Sequence, residues 1–153
     1  MATGKSTHPV AVVTGGAGFI GSHMVDLLVN KGFEVRVIDN LSGGRESNLA
    51  HHGNDPRVVV EIRDIGDLEP DDKMFSGAKY VFHFAGIGDI VPSIDQPIEY
   101  LSTNVQGTIR VLECARRAKA TKFVYAASST CYGIADVPTR KDHPISPHGI
   151  RSN

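Results

Sequence analysis

Apolar residues along this chain change their period several times, and each change marks an element. Val10-Ala11-Val12-Val13 is an unbroken apolar run, as expected of a strand buried on both faces. From Phe19 to Lys31, Ile20, Met24, Leu27 and Leu28 recur at helical spacing, and Gly32 supplies a left-handed stop. Phe33 to Ile38 alternates, with Phe33, Val35 and Val37 in one phase. Val58 to Ile62 and Lys79 to Phe84 are further short runs rich in β-branched and aromatic residues. Asp67 to Phe75 predicts a weaker helix ended by Gly77. The longest helix is predicted from Pro97, a favourable first-turn residue, because Ile98, Leu101, Val105, Thr108, Leu112 and Ala115 return every three or four positions. Arg116, Arg117 and Lys119 in its last turn suit the negative end of the helix dipole, and Lys122 to Ala126 predicts a fifth strand.

Five short strands separated by helical stretches, with no hairpin turns between them, predict an α/β domain whose parallel sheet is covered on both faces. Residues 1–8 are short and polar and are expected to fray. After Tyr132-Gly133 the pattern dissolves into Pro138, Pro144 and Pro147, and 148–153 reads as an irregular tail. The ordered domain is therefore expected over 9–147.

Composition narrows the function classes. A chain of 153 residues can bury roughly 70% of the surface its unfolded form exposes, enough for one self-sufficient core. Sixteen basic and seventeen acidic residues leave a net charge of −1, so no broad field draws in nucleic acid or an anionic membrane. No apolar run approaches the ~20 residues of a membrane span, and no signal-peptide pattern opens the chain, which predicts a cytoplasmic protein. Cys114 and Cys131 have neither disulfide-framework nor zinc spacing, so reduced thiols and no metal site are expected.

The segment Thr14-Gly15-Gly16-Ala17-Gly18-Phe19-Ile20-Gly21 lies between the first strand and the first helix. Glycines at 15, 18 and 21 suit, in turn, a tight turn, close approach of a pyrophosphate to the backbone, and tight packing of helix on strand. The free amides of the helix's first turn then meet the anion without a cationic side chain. A purely structural turn is the competing reading. Gly4-Lys5-Ser6 imitates the end of a P-loop but lacks both the earlier glycine and the leading strand. Asp39 follows Gly21 by eighteen residues, at the end of the second strand, where a carboxylate can accept both ribose hydroxyls of an adenosine. It favours NAD over NADP, although Arg45 nearby could soften repulsion of a 2′-phosphate. Asp39 and Asn40 as plain turn residues is the alternative. Together these features predict a Rossmann-type doubly wound sheet.

With these motifs in sequence order, the chain resembles the extended short-chain dehydrogenase/reductase family, in its sugar-nucleotide epimerase/dehydratase branch. Thr14 to His23 matches the family pattern without a break, which implies cofactor contacts from Gly15, Gly18, Phe19, Ile20 and Gly21. Asn40, Ser42 and Gly43 fall in the segment resembling the adenosine-ribose loop. Asp64-Ile65 resembles the pair beside the adenine, and Phe84-Ala85-Gly86 the stretch that runs along ribose and phosphates. Asn104 matches an asparagine that supports the active-site backbone; without the resemblance it is only a poor helix former. Counting back from Gly133 places Ser128 at the catalytic Ser/Thr position, whose hydroxyl binds the reacting sugar oxygen. Ser129-Thr130 stands where 4,6-dehydratases of the family carry Asp-Glu, which disfavours dehydration. The resemblance further implies NAD as cofactor, a nucleotide sugar as substrate of the full-length form, and a homodimer.

One departure changes the expectation. The family's general base is the tyrosine of Tyr-x-x-x-Lys, but four residues after Tyr80, Tyr100, Tyr125 and Tyr132 stand Phe84, Asn104, Ser129 and Asp136. A phenol of pKa ~10 without an ammonium beside it is a poor base at neutral pH. The expectation is a Rossmann-type sheet truncated after about five strands, with cofactor binding intact and the catalytic pair and substrate lobe absent. A catalytically silent NAD-binding module or regulator is the alternative, and a non-functional product of an interrupted gene a third.

Overall fold

Five parallel strands, β1 (Val10–Thr14), β2 (Glu34–Asp39), β3 (Val58–Ile62), β4 (Ala78–His83) and β5 (Lys122–Tyr125), build one sheet in the order β3-β2-β1-β4-β5. The computed structural model describes residues 8–145. The expected tail at 148–153 and most of the expected frayed N-terminus lie outside them; His8, at its edge, donates from its ring Nδ1 to the Gly32 carbonyl at 2.9 Å.

β1 is the centre of the molecule. Successive strand residues point to opposite faces, so Val10 and Val12 join one core with Ile38, Phe75, Val81 and Val111, while Ala11 and Val13 join the other with Val25, Leu28, Val35 and Val37. This is the doubly wound, Rossmann-type arrangement predicted from the strand pattern. Truncating a side chain as buried as Phe75 (1% exposed) would cost ~3–5 kcal/mol.

Helix α1 (Phe19–Asn30) ends as predicted, with Gly32 at φ +79°. Its buried side is Gly21, Ser22, Val25, Leu28 and Val29, whereas Ile20 and Leu27 are exposed. The three-and-four spacing thus identified the helix but not the face it buries.

The weak helix expected over Asp67 to Phe75 does not form. Two single 3-10 turns, Ile65–Asp67 and Lys73–Phe75, stand at its ends, begun by Asp64 and Asp72, whose carboxylates accept from the amides of Gly66 and Met74. Pro70 between them removes a backbone donor, and aspartates that bond local amides compete with helix. The segment is held instead by Leu68, Met74 and Phe75, all buried in the core.

Helix α2 (Ile90–Asp95), not anticipated from the pattern, precedes the long helix. The latter starts at Pro97 as predicted but is three pieces in one rod: α3 (Pro97–Leu101), a π-helical stretch Ser102–Gly107, and α4 (Thr108–Arg117). The wider π turn rotates the face that meets the sheet. Gly107, Val111, Cys114 and Ala115 are buried, while Ile98, Leu101, Val105 and Leu112 of the predicted stripe face outward.

Among the described residues no helix is long and apolar enough to cross a membrane. Both cysteines are free.

Candidate cofactor site

The strand order reverses direction at β1, whose neighbours are β2 on one side and β4 on the other. A crevice must therefore open beyond the C-terminal ends of β1 and β4. The glycine turn fills its floor. Gly15 takes φ +69° and donates its amide to the Ile38 carbonyl at 2.9 Å; a Cβ there would stand 2.5 Å from the Ala85 nitrogen. At Gly21 a Cβ would come within 2.1 Å of the Gly15 carbonyl oxygen. Only glycine at both positions allows turn, helix and β4 to meet.

The first helical hydrogen bond of α1 runs from the Ser22 amide to the Gly18 carbonyl at 3.0 Å. The amides of Phe19, Ile20 and Gly21 precede it, no side chain caps the helix, and no acid sits in its first turn. Free donors and the positive end of the dipole together make this an anion-accepting end. The Phe19 and Ile20 side chains are exposed and do not line the cleft.

Asp39 ends β2, buried to 7% exposure. Its Oδ2 accepts from the Ala17 amide at 2.9 Å and its Oδ1 from the Leu41 amide at 2.8 Å, which ties the glycine turn to the loop after β2. Each oxygen keeps a second lone pair for another donor. Asn40 donates to Asp64 Oδ2 at 2.6 Å, and its own oxygen accepts from the Ser42 amide and hydroxyl. These contacts bring Gly15, Gly18, Asp39, Asn40, Ser42, Gly43, Asp64, Ile65, Phe84, Ala85 and Gly86 around one cleft.

A second cleft shares the stretch from Phe84 to Ile87 as its wall and continues to Tyr100, Asn104, Thr108, Tyr125 and Ser128. Asn104 lies in the π-helical stretch, and its side chain clamps one residue of that wall. Its oxygen accepts from the Ile87 amide at 2.8 Å and its nitrogen donates to the Ile87 carbonyl at 2.9 Å. The wider turn thus aims a side chain that an ordinary helix would aim elsewhere. Ser128, just beyond β5, opens onto this second cleft. Tyr100 also faces it, but desolvation, with the charges of Asp89 and Glu99, raises its phenol further from a base's range.

Under the shared wall a relay of hydroxyls and a ring joins β1, β4 and α4. Thr108 Oγ1 donates to the Asn104 carbonyl at 2.7 Å and therefore accepts from His83 Nε2 at 2.9 Å. His83 Nδ1 must then accept from the Thr14 hydroxyl, 2.6 Å away. Burial pushes the His83 pKa down to about 4, in keeping with this neutral ring.

Phe19, Ile20, Gly21, Asn104 and Ser128 thus stand beside the first cleft rather than in its lining. Gly44 and Ile87, neighbours of the expected loop and stretch, line it too, as do Arg63, Glu99 and Thr103, which the sequence reading did not single out. Arg63 was legible in principle: it directly follows β3, at the same strand-end level as Asp39, and lies 2.8 Å from Asp72.

Residues 11–151 match the model of the NAD dependent epimerase/dehydratase family. The chain belongs to that family. UDP-glucose 4-epimerase 4 of Oryza sativa subsp. japonica is 38% identical, over 96% of this chain and 42% of that protein. Among solved structures, the family fold recurs in a UDP-N-acetylglucosamine 4-epimerase from Methanobrevibacter ruminantium (TM-score 0.80, 30% identity, 92% of this chain and 44% of that one). It recurs also in the dTDP-glucose 4,6-dehydratase DesIV from Streptomyces venezuelae, solved with NAD bound (TM-score 0.79, 34% identity, 90% and 45%). The chain spans less than half the length of each of these relatives.

Proposed function

We propose that this chain binds NAD across the two joined clefts and forms the cofactor-holding part of an enzyme that epimerises a nucleotide-linked sugar, with 9–147 as the cofactor domain. The observation that carries this reading is the convergence, at the β1/β4 crevice, of uncapped first-turn amides and a strand-end carboxylate. The pyrophosphate would lie against Gly15, Gly18 and the amides of Phe19, Ile20 and Gly21. Asp39 would take the adenosine ribose, Asn40, Ser42 and Gly43 its rim, and Asp64 and Ile65 the adenine. Phe84, Ala85 and Gly86, followed by the Ile87 that Asn104 holds, would run along the remainder of the cofactor. What supports the fit is that Asp39 is already oriented by two backbone amides while each of its oxygens keeps a lone pair for a ribose hydroxyl.

NAD, when bound, supplies the chemistry of accepting a hydride from a sugar carbon and returning it. Ser128, on the second cleft, would hydrogen-bond the reacting sugar hydroxyl and orient it. Proton removal needs a base that none of the four tyrosines here can be, because none has a lysine four residues on. Epimerisation is preferred to dehydration because Ser129-Thr130 follows Ser128 instead of two acids. Dimerisation belongs to the same proposal: Ile98, Leu101, Val105, Ile109 and Leu112 leave an apolar face on the long helix exposed.

Isothermal titration with NAD and NADP tests the proposal. NAD should bind more tightly, because a 2′-phosphate would meet the Asp39 carboxylate, and Gly18→Val should abolish binding in a protein that keeps its circular dichroism. Equal or tighter NADP binding would remove Asp39 from this role, and unchanged NAD affinity in folded Gly18→Val would remove the glycine turn.

A further inference from the structure

On the side of the molecule formed by the outward face of α1 and the loop after β2, four side chains gather that the cofactor reading does not use. His51 Nε2 and His52 Nε2 both stand 2.7 Å from one oxygen, Oδ1, of Asp26. His23, one turn earlier on α1, places its Nδ1 3.9 Å from the other oxygen, Oδ2. The two neighbouring rings lie with centroids 4.1 Å apart. Consecutive residues of a 3-10 turn normally send their side chains about a third of a turn apart. Here, in the turn Ala50–His52, they converge on a single atom.

The frame that holds them is stiff. Asp26 rides on a helix whose Val25, Leu28 and Val29 are buried, and the 3-10 turn is anchored by buried Leu49 and by Asn48, which donates to the Ala17 carbonyl at 2.8 Å. His52 is 11% exposed and His51 56%, so one imidazole is fixed and the other has room to adjust.

We propose that Asp26, His51 and His52 form a binding site for a divalent late-transition cation of the zinc type, with His23 or water as fourth ligand. The three donor atoms already lie within 4.8 Å of one another. A tetrahedral ion with bonds of ~2.0–2.1 Å spaces its donors by ~3.3 Å, so each of the two 2.7 Å histidine–aspartate separations would open by roughly half an ångström. Two imidazoles and one carboxylate suit zinc, copper or nickel, whereas calcium and magnesium prefer all-oxygen sets. The bound ion would bridge α1 to the loop after β2, whose Asn40, Ser42, Gly43 and Gly44 line the cofactor crevice. No Cys-x-x-Cys or His-x-x-x-His spacing signals the site, because one ligand comes from α1 and the pair from a turn some twenty-five residues later.

Chelator-treated 153-residue protein, titrated calorimetrically with zinc in the absence of cofactor, should bind one ion per chain and melt at a higher temperature when loaded. Asp26→Asn and His52→Gln should each weaken binding by at least ~10-fold, while His143→Gln, outside the cluster, should not. Magnesium should not compete. X-ray absorption of the zinc-loaded, unsubstituted protein should show nitrogen and oxygen ligands only, which checks the assignment even if a variant fails to fold. Unchanged affinity in a folded Asp26→Asn or His52→Gln, absence of saturable binding, or sulfur in the ion's shell would each overturn the proposal. NAD affinity measured on the same sample fails or holds independently of these results.

Discussion

Acidifying the protein from neutrality should destabilise it through His83. His83 is fully buried between Thr14 and Thr108, and burial holds its pKa at about 4 against an ordinary 6.5. The unfolded chain takes up a proton on this ring from about pH 6.5 downward, the folded protein only near pH 4. Between those values the unfolded state binds more protons, so the group's contribution is complete above about 6.5 and is lost as pH falls toward 4. Integrated over the two titrations, the loss between pH 7 and pH 5 is about 2 kcal/mol, and about 3 kcal/mol in all. Charging the ring would also turn Nδ1 from acceptor to donor, against a Thr14 hydroxyl that now donates to it. Asp55 and Glu113, held near 2 by Arg57 and by Arg116 with Arg117, titrate below this window and do not mimic it. Urea unfolding at pH 7 and pH 5, for wild type and His83→Gln, measures the effect. The wild type should lose about 2 kcal/mol more than the variant, or roughly 5–10 °C of Tm. Parallel pH dependence in the two proteins, or a ring that titrates by NMR near 6.5 in the folded state, would refute the reasoning.

Gly21→Ala should destabilise the fold by ~1–3 kcal/mol or prevent folding, because its Cβ would sit 2.1 Å from the Gly15 carbonyl oxygen; chemical denaturation decides. A thiol reagent at pH 8 should label Cys131 and leave Cys114 until the protein is unfolded. Cys114 is buried, donates to the Glu69 carbonyl, and is pushed up to about 11 by burial and then by Asp72. The 153-residue chain saturated with NAD should show no turnover of UDP-glucose, UDP-N-acetylglucosamine or UDP-glucuronate, since loss of acid–base catalysis alone removes ~10²–10⁴-fold. Turnover that Ser128→Ala abolishes would show that another residue acts as base.

The strands and the crevice were legible in the sequence because their signals are local. β-branched runs mark β1 and β3, Tyr80-Val81-Phe82 marks β4, and the glycines at 15, 18 and 21 can be read without knowing what they pack against. What escaped depended on contacts between distant segments. Ile98, Leu101 and Leu112 keep the helical spacing yet face outward, and the π-helical stretch between them, from which Asn104 reaches Ile87, has no local signal in the sequence. Asp67 to Phe75 has helical spacing, but the carboxylates of Asp64 and Asp72 and the missing donor of Pro70 favour tight turns. Arg63 lines the first cleft because β3 brings it level with Asp39, and Asp26 meets His51 and His52 only after β2 has turned the chain back over α1.

For anyone wishing to redesign cofactor preference, the two amides on Asp39 set the terms. The obvious edit, replacing this acid by a small or basic residue to admit a 2′-phosphate, would release the Ala17 and Leu41 amides together and loosen the glycine turn at the moment it is asked to hold a new ligand. A workable exchange must rewrite 39–45 as a block, supplying replacement acceptors for both amides before any cation is introduced.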